Sequence, residues 1–328
     1  MPSLANPIRG LAAALLLAVL ALPARAAAAT DELTVVLDWF LNPDHAPIVI
    51  AQERGFFAEE GLDVTWQEPA DPNNPPKLVA AGKAEIAISY QPNLHLQVDQ
   101  GLPLTRVGTL VATPLNTVIA LEDGPIDALA DLEGKTVGYS VGGFEETMLQ
   151  VMLRQAGVDP ASVELVNVNF ALSQSLLSGR VDAIVGGFRN FEVNQLDLEG
   201  AEARVFYPEA HGVPAYDELI FIAHRDNMDR DKLRRFLNAV ERGTQYLINH
   251  PEESWEIFRE GRPDVQNALN ERAFPDTIPR FALRPAALDT ARYQRFARFL
   301  KDQGMIAAVP PVTRYAVELP ADDGAATQ

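Results

Sequence analysis

From Leu33 onward, short apolar runs alternate with amphipathic stretches of helical period along the chain. The short runs, such as Leu33–Trp39 and Ile86–Tyr90, predict strands, and longer stretches, such as Ala46–Glu60, predict helices. Gly61 follows one of these helical stretches, at the position where a left-handed residue often ends a helix. Strands that alternate with helices predict a mostly parallel α/β sheet that is covered on both faces.

The alternation restarts after residues 126–132, and a sequence unit recurs with it. Residues 78–87 and 176–184 share one order, in which a short helix is followed by a glycine, a basic residue, an acid and an apolar strand. We interpret the recurrence as two similar α/β lobes, with chance repetition of a common helix–glycine–strand unit as the alternative. After residue 228 the pattern predicts helices without strands, so the tail does not form a further lobe.

The apolar segment 216–224 predicts a strand that returns to the first lobe. The expected boundaries are residues 31–112 plus 224–328 for the first lobe and 113–223 for the second. The chain would then cross between the lobes twice, near residues 112–115 and near residues 219–223. Two crossings form a hinge, and the cleft beside a hinge is where we expect a ligand.

Residues 1–26 predict a cleaved export signal. Arg9 precedes the apolar run Leu11–Leu22, and Ala24-Arg25-Ala26 fits the small-x-small pattern of a cleavage site. The apolar run, about 12 residues long, is too short to cross a bilayer. We therefore expect a periplasmic protein that does not span the membrane.

Composition narrows the function classes. The net charge of −18 disfavours contact with nucleic acid or anionic lipid. The absence of cysteine removes disulfides, thiolate metal sites and a cysteine nucleophile. The histidines show no metal-binding spacing such as H-E-x-x-H, so we predict no metal site. We expect a monomer without a cofactor.

Aromatic, acidic and amide side chains collect near the ends of the predicted strands. In open parallel sheets, ligands bind beyond the carboxyl ends of the strands. Aromatic rings there would stack on a flat ring, and carboxylates and amides would pair with ring nitrogens and amino groups. A position in the core is the alternative for each aromatic residue taken alone. The predicted ligand-binding residues of this group are Asp38, Trp39, Tyr90, Phe188, Asn190, Glu192, Tyr216 and Glu218.

The segment Gly138–Gly142 has the G-x-S-x-G pattern of a serine-hydrolase nucleophile elbow, with Ser140 at its centre. Strand-to-helix turns favour glycine and serine for backbone reasons, so we interpret it as a tight turn and keep a hydrolase as an alternative. Gly142 and Gly143 open the next helix and are predicted to contact the ligand. Glu145 is predicted either to cap that helix or to bind the ligand.

Several motifs in combination resemble ThiY, the family of solute-binding proteins that serve thiamin-precursor ABC importers. They are Leu37–Pro47, Tyr90-Gln91-Pro92, Gly138–Glu146 and Gly187–Glu192, and the resemblance covers roughly residues 33–226. It implies a type II periplasmic-binding-protein fold with two α/β lobes. The implied ligand is a thiamin pyrimidine precursor such as N-formyl-4-amino-5-aminomethyl-2-methylpyrimidine, called the formylaminopyrimidine below. The implied partners are a membrane permease and its ATPase.

The resemblance also implies roles for single residues. Trp39, Tyr90 and Phe188 would stack on the pyrimidine ring. Asn190 and Glu192 would pair with its aminopyrimidine edge, and Asn42 is a further ligand-binding residue that the resemblance implies. The chain would bind its ligand by closure of the lobes and would catalyse no reaction.

An enzyme alternative comes from the same fold. The chain is also similar to hydroxymethylpyrimidine phosphate synthase, which uses pyridoxal phosphate and iron. His95 matches a histidine of that enzyme, but Gln91 stands where the enzyme has a lysine, and the cysteine cluster has no counterpart. Without the lysine no Schiff base can form at that position, so we expect a binding protein.

Overall fold

The computed structural model of the protein describes residues 30–319, so the predicted export signal lies outside the described residues. The strands are β1 (Asp31–Val36), β2 (Leu62–Gln67), β3 (Ile86–Ser89), β4 (Leu104–Val111), β5 (Asn116–Leu121), β6 (Thr136–Tyr139), β7 (Glu164–Asn167), β8 (Ala183–Phe188), β9 (Ala203–Phe206) and β10 (Leu219–His224). The helices are α1 (Ala46–Glu53), α2 (Phe56–Glu59), α3 (Pro75–Ala80), α4 (Gln91–Asp99), α5 (Phe144–Gln155), α6 (Leu172–Leu177), α7 (Glu192–Leu198), α8 (Arg230–Asn249), α9 (Pro251–Arg259), α10 (Ala268–Thr277) and α11 (Thr290–Asp302).

Two five-stranded sheets form two lobes with the same strand arrangement. The first sheet has the order β2-β1-β3-β10-β4, and the second has the order β7-β6-β8-β5-β9. In each, four strands run in one direction, and the remaining strand (β10 or β5) is antiparallel to both of its neighbours. The fourth strand of each sheet follows directly after the chain has crossed from the other lobe.

The recurring sequence unit occupies equivalent positions in the two lobes. Gly82 ends α3 with φ of 66° and precedes β3, and Gly179 ends α6 with φ of 68° and precedes β8. Positive φ favours glycine because a Cβ atom strains that conformation. The same helix–glycine–strand passage therefore builds the third strand of each sheet.

The crossings lie at residues 112–115, between β4 and β5, and at residues 207–218, between β9 and β10. Arg292 of α11 joins them, because its Nη1 donates to the Ala112 carbonyl at 2.7 Å and to the Asp217 carboxylate. The predicted return of the chain to the first lobe is confirmed, but the second crossing ends before residues 219–223, where it was expected. Residues 219–223 belong to β10, which pairs with β3 and β4 of the first sheet.

The tail is also shared between the lobes, whereas residues 224–328 were expected to pack on the first lobe alone. The α11 side chains Phe296 and Leu300 are buried in the second hydrophobic core. The Phe296 ring contacts the rings of Phe144 and Tyr216. Amphipathic periodicity predicted the helix, but it does not specify which lobe the apolar face contacts.

Other differences are local. The helix predicted over 46–60 is divided into α1 and α2 at Gly55, whose φ is 73°. The elements α7, β9 and α10 were not predicted. β8 extends to Phe188, so this residue ends the strand, whereas the sequence placed it after the strand. Among residues 30–319, no helix has the length and apolar character needed to cross a membrane.

Candidate functional site

A cavity lies between the lobes, with about 400 Å³ of empty space that includes open solvent. The first lobe contributes the loop after β1 and the residue after β3, and the second contributes the turn after β6 and the β8–α7 junction. The cavity is lined by Asp38, Trp39, Asn42, Asp44, Tyr90, Ser140, Val141, Glu145, Leu172, Gly186, Phe188, Phe191 and Glu192. The set combines aromatic rings with carboxyl groups from both lobes.

The loop after β1 arranges the first carboxyl group. Asn42 caps a short 3₁₀ helix by accepting from the Asp44 N–H at 2.9 Å. The Nδ1 atom of His45 accepts from the Asn42 N–H at 3.2 Å, so its Nε2–H donates to Asp38 at 3.0 Å. The Tyr90 hydroxyl donates to the other Asp38 oxygen at 2.9 Å. Asp38 thus fixes the Tyr90 ring at the cavity.

Glu145 approaches from the second lobe. Its Oε2 accepts from the Ser140 and Val141 N–H groups at 2.9 and 3.0 Å. Burial raises the pKa of Glu145 to about 8, although the two N–H bonds act in the opposite direction. The carboxyl group occupies the space beside Gly186, where a Cβ atom would lie 2.5 Å from the Glu145 carboxyl carbon. Glycine at position 186 therefore makes room for this acid.

Glu192 and Asp44 are the other two carboxyl groups that line the cavity. Glu192 accepts from the Phe188 N–H at 2.7 Å, and burial raises its pKa to about 7. Burial likewise raises the pKa of Asp44 to about 6. A carboxyl group that retains its proton can donate and accept at once, as the amino group and ring nitrogen of an aminopyrimidine also can. The cavity is therefore suited to a ring with both kinds of group.

Aromatic side chains line the cavity and also form a contact between the lobes. Trp39 of the first lobe packs against the second lobe, with its ring centroid 4.6 Å from that of Phe170. The Phe40 ring lies 4.5 Å from the same Phe170 ring. Phe188 and Phe191 line the opposite lobe's side of the cavity. These rings provide apolar surfaces for a flat ligand.

Asn190 lies outside the cavity lining and bridges elements instead. Its Nδ2 donates to Asp44 at 2.8 Å and to the Thr277 hydroxyl at 2.8 Å. It therefore joins the second lobe to the first-lobe loop and to α10. The structure places this amide against Asp44, one of the carboxyl groups that line the cavity.

Tyr216 and Glu218 also lie outside the lining, at the hinge. The Tyr216 hydroxyl donates to Glu218 at 3.1 Å. Glu218 accepts from the N–H groups of Leu115 and Asn116 at 2.6 and 2.8 Å, and burial raises its pKa to about 7. This pair joins the second crossing to the first.

Gly142 and Gly143 are at the interface of the lobes but do not line the cavity. The Gly142 N–H donates to Asn73 at 2.8 Å, and the Gly143 N–H donates to Glu146 at 2.8 Å. Both amides predicted to meet a ligand therefore have protein partners. Glu146 caps α5, the role that the sequence left open for Glu145.

Six lining residues were absent from the predicted set. Ser140 had been considered as a nucleophile, and its hydroxyl donates to the Asn169 carbonyl. Asp44 lies in the quoted motif Leu37–Pro47. A second acidic residue after Asp38 in that motif was the signal that could have identified it. Val141 and Phe191 also lie in quoted motifs, whereas Leu172 and Gly186 have no distinguishing pattern.

The positions that distinguish the synthase alternative lie away from the cavity lining. Gln91 accepts from the Asp217 N–H at 2.8 Å, next to the second crossing. His95 is buried beside the rings of Phe296 and Tyr315, and burial lowers its pKa to about 3. Among residues 30–319, no three or more His, Asp or Glu side chains are grouped to hold a metal ion.

Curated relatives point to thiamin metabolism. A protein of Haemophilus influenzae named as a thiamine biosynthesis protein is 50% identical over 292 residues, which are 89% of this chain and 93% of its own. A formylaminopyrimidine-binding protein of Halalkalibacterium halodurans is 38% identical over 252 residues, 76% of each chain. A 4-amino-5-hydroxymethyl-2-methylpyrimidine phosphate synthase of Legionella pneumophila is 28% identical and covers 83% of this chain and 87% of its own.

A solved structure shows the fold. The alkanesulfonate-binding protein SsuA from Xanthomonas axonopodis pv. citri, bound to MOPS, superposes with a TM-score of 0.69 at 15% identity, over 89% of this chain and 99% of its own. This confirms the predicted two-lobe fold of the periplasmic binding proteins. Residues 42–254 match the family described as NMT1/THI5 like. The match spans more than half of the chain, which therefore belongs to the NMT1/THI5-like family.

Proposed function

We propose that this protein is the periplasmic solute-binding component of an ABC importer and captures a thiamin pyrimidine precursor of the formylaminopyrimidine type. The formylaminopyrimidine-binding relative supports the ligand class. The likeness to SsuA supports a two-lobe binding protein. The observation that carries the proposal is the cavity itself, in which aromatic rings and four carboxyl groups converge from both lobes.

The carboxyl groups favour a ligand with several N–H donors. Asp38, Asp44, Glu145 and Glu192 line the cavity, and none of its lining residues within 30–319 is a lysine or arginine. A buried N–H that loses its acceptor costs about 1–3 kcal/mol, so this lining selects for amino groups. A sulfonate or phosphate would find no cationic partner among these lining residues and is disfavoured.

Capture would occur by closure of the lobes about the two crossings. Trp39 and Tyr90 from the first lobe and Phe188 from the second would enclose the ring between them. The closed form would then present a surface to a permease and its ATPase. The apolar run at residues 11–22 supports export to the periplasm.

The residues at the two positions where an enzyme would need a catalytic group support binding without a reaction. Gln91 cannot form the Schiff base that a lysine would, so the position does not suit pyridoxal phosphate, and its amide bonds to the hinge. The Ser140 hydroxyl donates to a carbonyl oxygen, which accepts its proton in a hydrogen bond but cannot act as a general base.

Isothermal titration calorimetry of the mature protein with the formylaminopyrimidine tests the proposal. We expect one site per chain and recovery of the unchanged ligand by mass spectrometry. MOPS serves as the matched control, because the structurally similar SsuA binds it. Binding of MOPS but not of the pyrimidine, or conversion of the pyrimidine to a product, would contradict the proposal.

A further inference from the structure

The loop between β2 and α3 contacts the second lobe through the side chain of Asn73. Its Oδ1 accepts from the Gly142 N–H at 2.8 Å, and its Nδ2 donates to the Ser140 carbonyl at 3.2 Å. One amide thus makes two hydrogen bonds across the gap between the lobes. Both partners are backbone groups of the turn after β6.

Asn73 is held in this orientation by its own lobe. The Asp71 carboxylate accepts from the Asn73 backbone N–H at 2.8 Å and from its Nδ2 at 3.0 Å. The backbone bond is the main reason why the pKa of Asp71 lies below its ordinary value. A side chain that is already oriented loses less entropy when it meets a partner. The first lobe therefore presents a prepared amide to the second.

The turn that Asn73 binds also positions a cavity carboxyl group. The Ser140 and Val141 N–H groups hold Glu145, and Ser140 offers its carbonyl to Asn73. When the lobes close and Asn73 meets this turn, Glu145 therefore moves toward the carboxyl groups of the first lobe. The same contact would disappear when the lobes separate.

We propose that Asn73 is a positioning residue for ligand retention, which holds the turn at residues 140–143 against the first lobe in the closed state. The inference rests on the proposed function for its effect on ligand release. Its effect on closure does not require that any ligand be identified. Asn73 lies outside the lining of the ligand cavity, so it acts through the turn and through Glu145.

The test compares Asn73→Ala with Asn167→Ala. Asn167 donates to the same Ser140 carbonyl at 3.2 Å but belongs to the second lobe, so its loss leaves the lobe contact in place. Stopped-flow tryptophan fluorescence with the formylaminopyrimidine measures both rate constants. We expect Asn73→Ala to raise the dissociation rate constant about three- to tenfold and to leave the association rate constant nearly unchanged. Asn167→Ala should stay close to the unsubstituted protein.

Lobe closure is measured separately, without any ligand. The chain has no cysteine, so Lys83→Cys and Arg180→Cys place one dye on an exposed position of each lobe. Single-molecule energy transfer should show a smaller closed fraction for Asn73→Ala than for the parent protein and Asn167→Ala. Equal closed fractions, or equal release rates in the two alanine variants, would overturn the proposal. If the pyrimidine does not bind the parent protein, the proposed function fails, and the closed fraction alone decides the role of Asn73.

Discussion

Glu192 illustrates how burial and hydrogen bonding act on a single carboxyl group. It stands in the first turn of α7 and accepts from the Phe188 N–H, which favours its charged form. Burial acts more strongly and raises its pKa to about 7. A group in this balance can pair with an amino group or with a ring nitrogen, so its protonation can adapt to the ligand.

Glu192→Ala should weaken binding of the formylaminopyrimidine by about ten- to a hundredfold, because ligand N–H groups would remain buried without an acceptor. Calorimetric dissociation constants give the comparison. Glu199→Ala is the control, since Glu199 follows the same helix at its exposed end. An unchanged dissociation constant for Glu192→Ala would remove this residue from the proposed site.

Single residues were predictable where chain direction alone places them. Trp39 and Tyr90 stand just beyond β1 and β3, and both line the cavity as the rule for parallel sheets predicts. Asn190 satisfies the same rule, yet its amide is directed to Asp44 and Thr277. The sequence cannot show this because Thr277 lies on α10, far along the chain.

At the scale of elements, strand β8 contains a residue with a positive φ angle. Gly186 has φ of 101° inside the strand, and its missing Cβ leaves the space that the Glu145 carboxyl group occupies. Strand β8 and helix α5 thus meet at a position that favours glycine. The requirement arises from the contact between the elements and is not visible in the pattern of β8 alone.

Gly186→Ala should destabilise the fold and also weaken ligand binding, since the new Cβ strains the backbone and displaces Glu145. The left-handed conformation alone costs about 1–2 kcal/mol for a residue other than glycine. Gly179→Ala is the matched control, because Gly179 has φ of 68° and a Cβ atom there would meet open space, with no neighbouring side chain of residues 30–319 within 4 Å. Thermal unfolding and calorimetry should show a larger loss for Gly186→Ala, and equal losses would contradict this account.

At the scale of the whole molecule, several buried acids couple folding to pH. In the folded chain these carboxyl groups have pKa values above those of the unfolded chain. At a pH between the unfolded and the folded pKa of a group, the folded chain therefore binds more protons than the unfolded chain. Free energy of unfolding then decreases as pH rises across that range. For Glu145 the range runs from 4.5 to about 8. The acids with raised pKa values are Asp44, Glu145, Glu192 and Glu218.

Ligand-free protein should therefore be more stable at pH 5 than at pH 8 in chemical denaturation, since each pKa unit corresponds to about 1.4 kcal/mol. Glu145→Gln should flatten this dependence because it removes one titrating group and retains an acceptor for the Ser140 N–H. Glu199→Gln, at an exposed position, should leave the slope unchanged. A parent protein with rising stability from pH 5 to pH 8 would contradict the assignment of these pKa shifts.

The sequence by itself determined the alternation of elements, the recurrence of the helix–glycine–strand unit and the aromatic and acidic residues at strand ends. These features depend on neighbours along the chain, so periodicity and turn chemistry reveal them. Only the tertiary structure decided where the second crossing lies, that α11 packs on the second core and that Asn73 meets the turn after β6. Those contacts join residues distant in sequence, and local patterns carry no information about which surfaces come together.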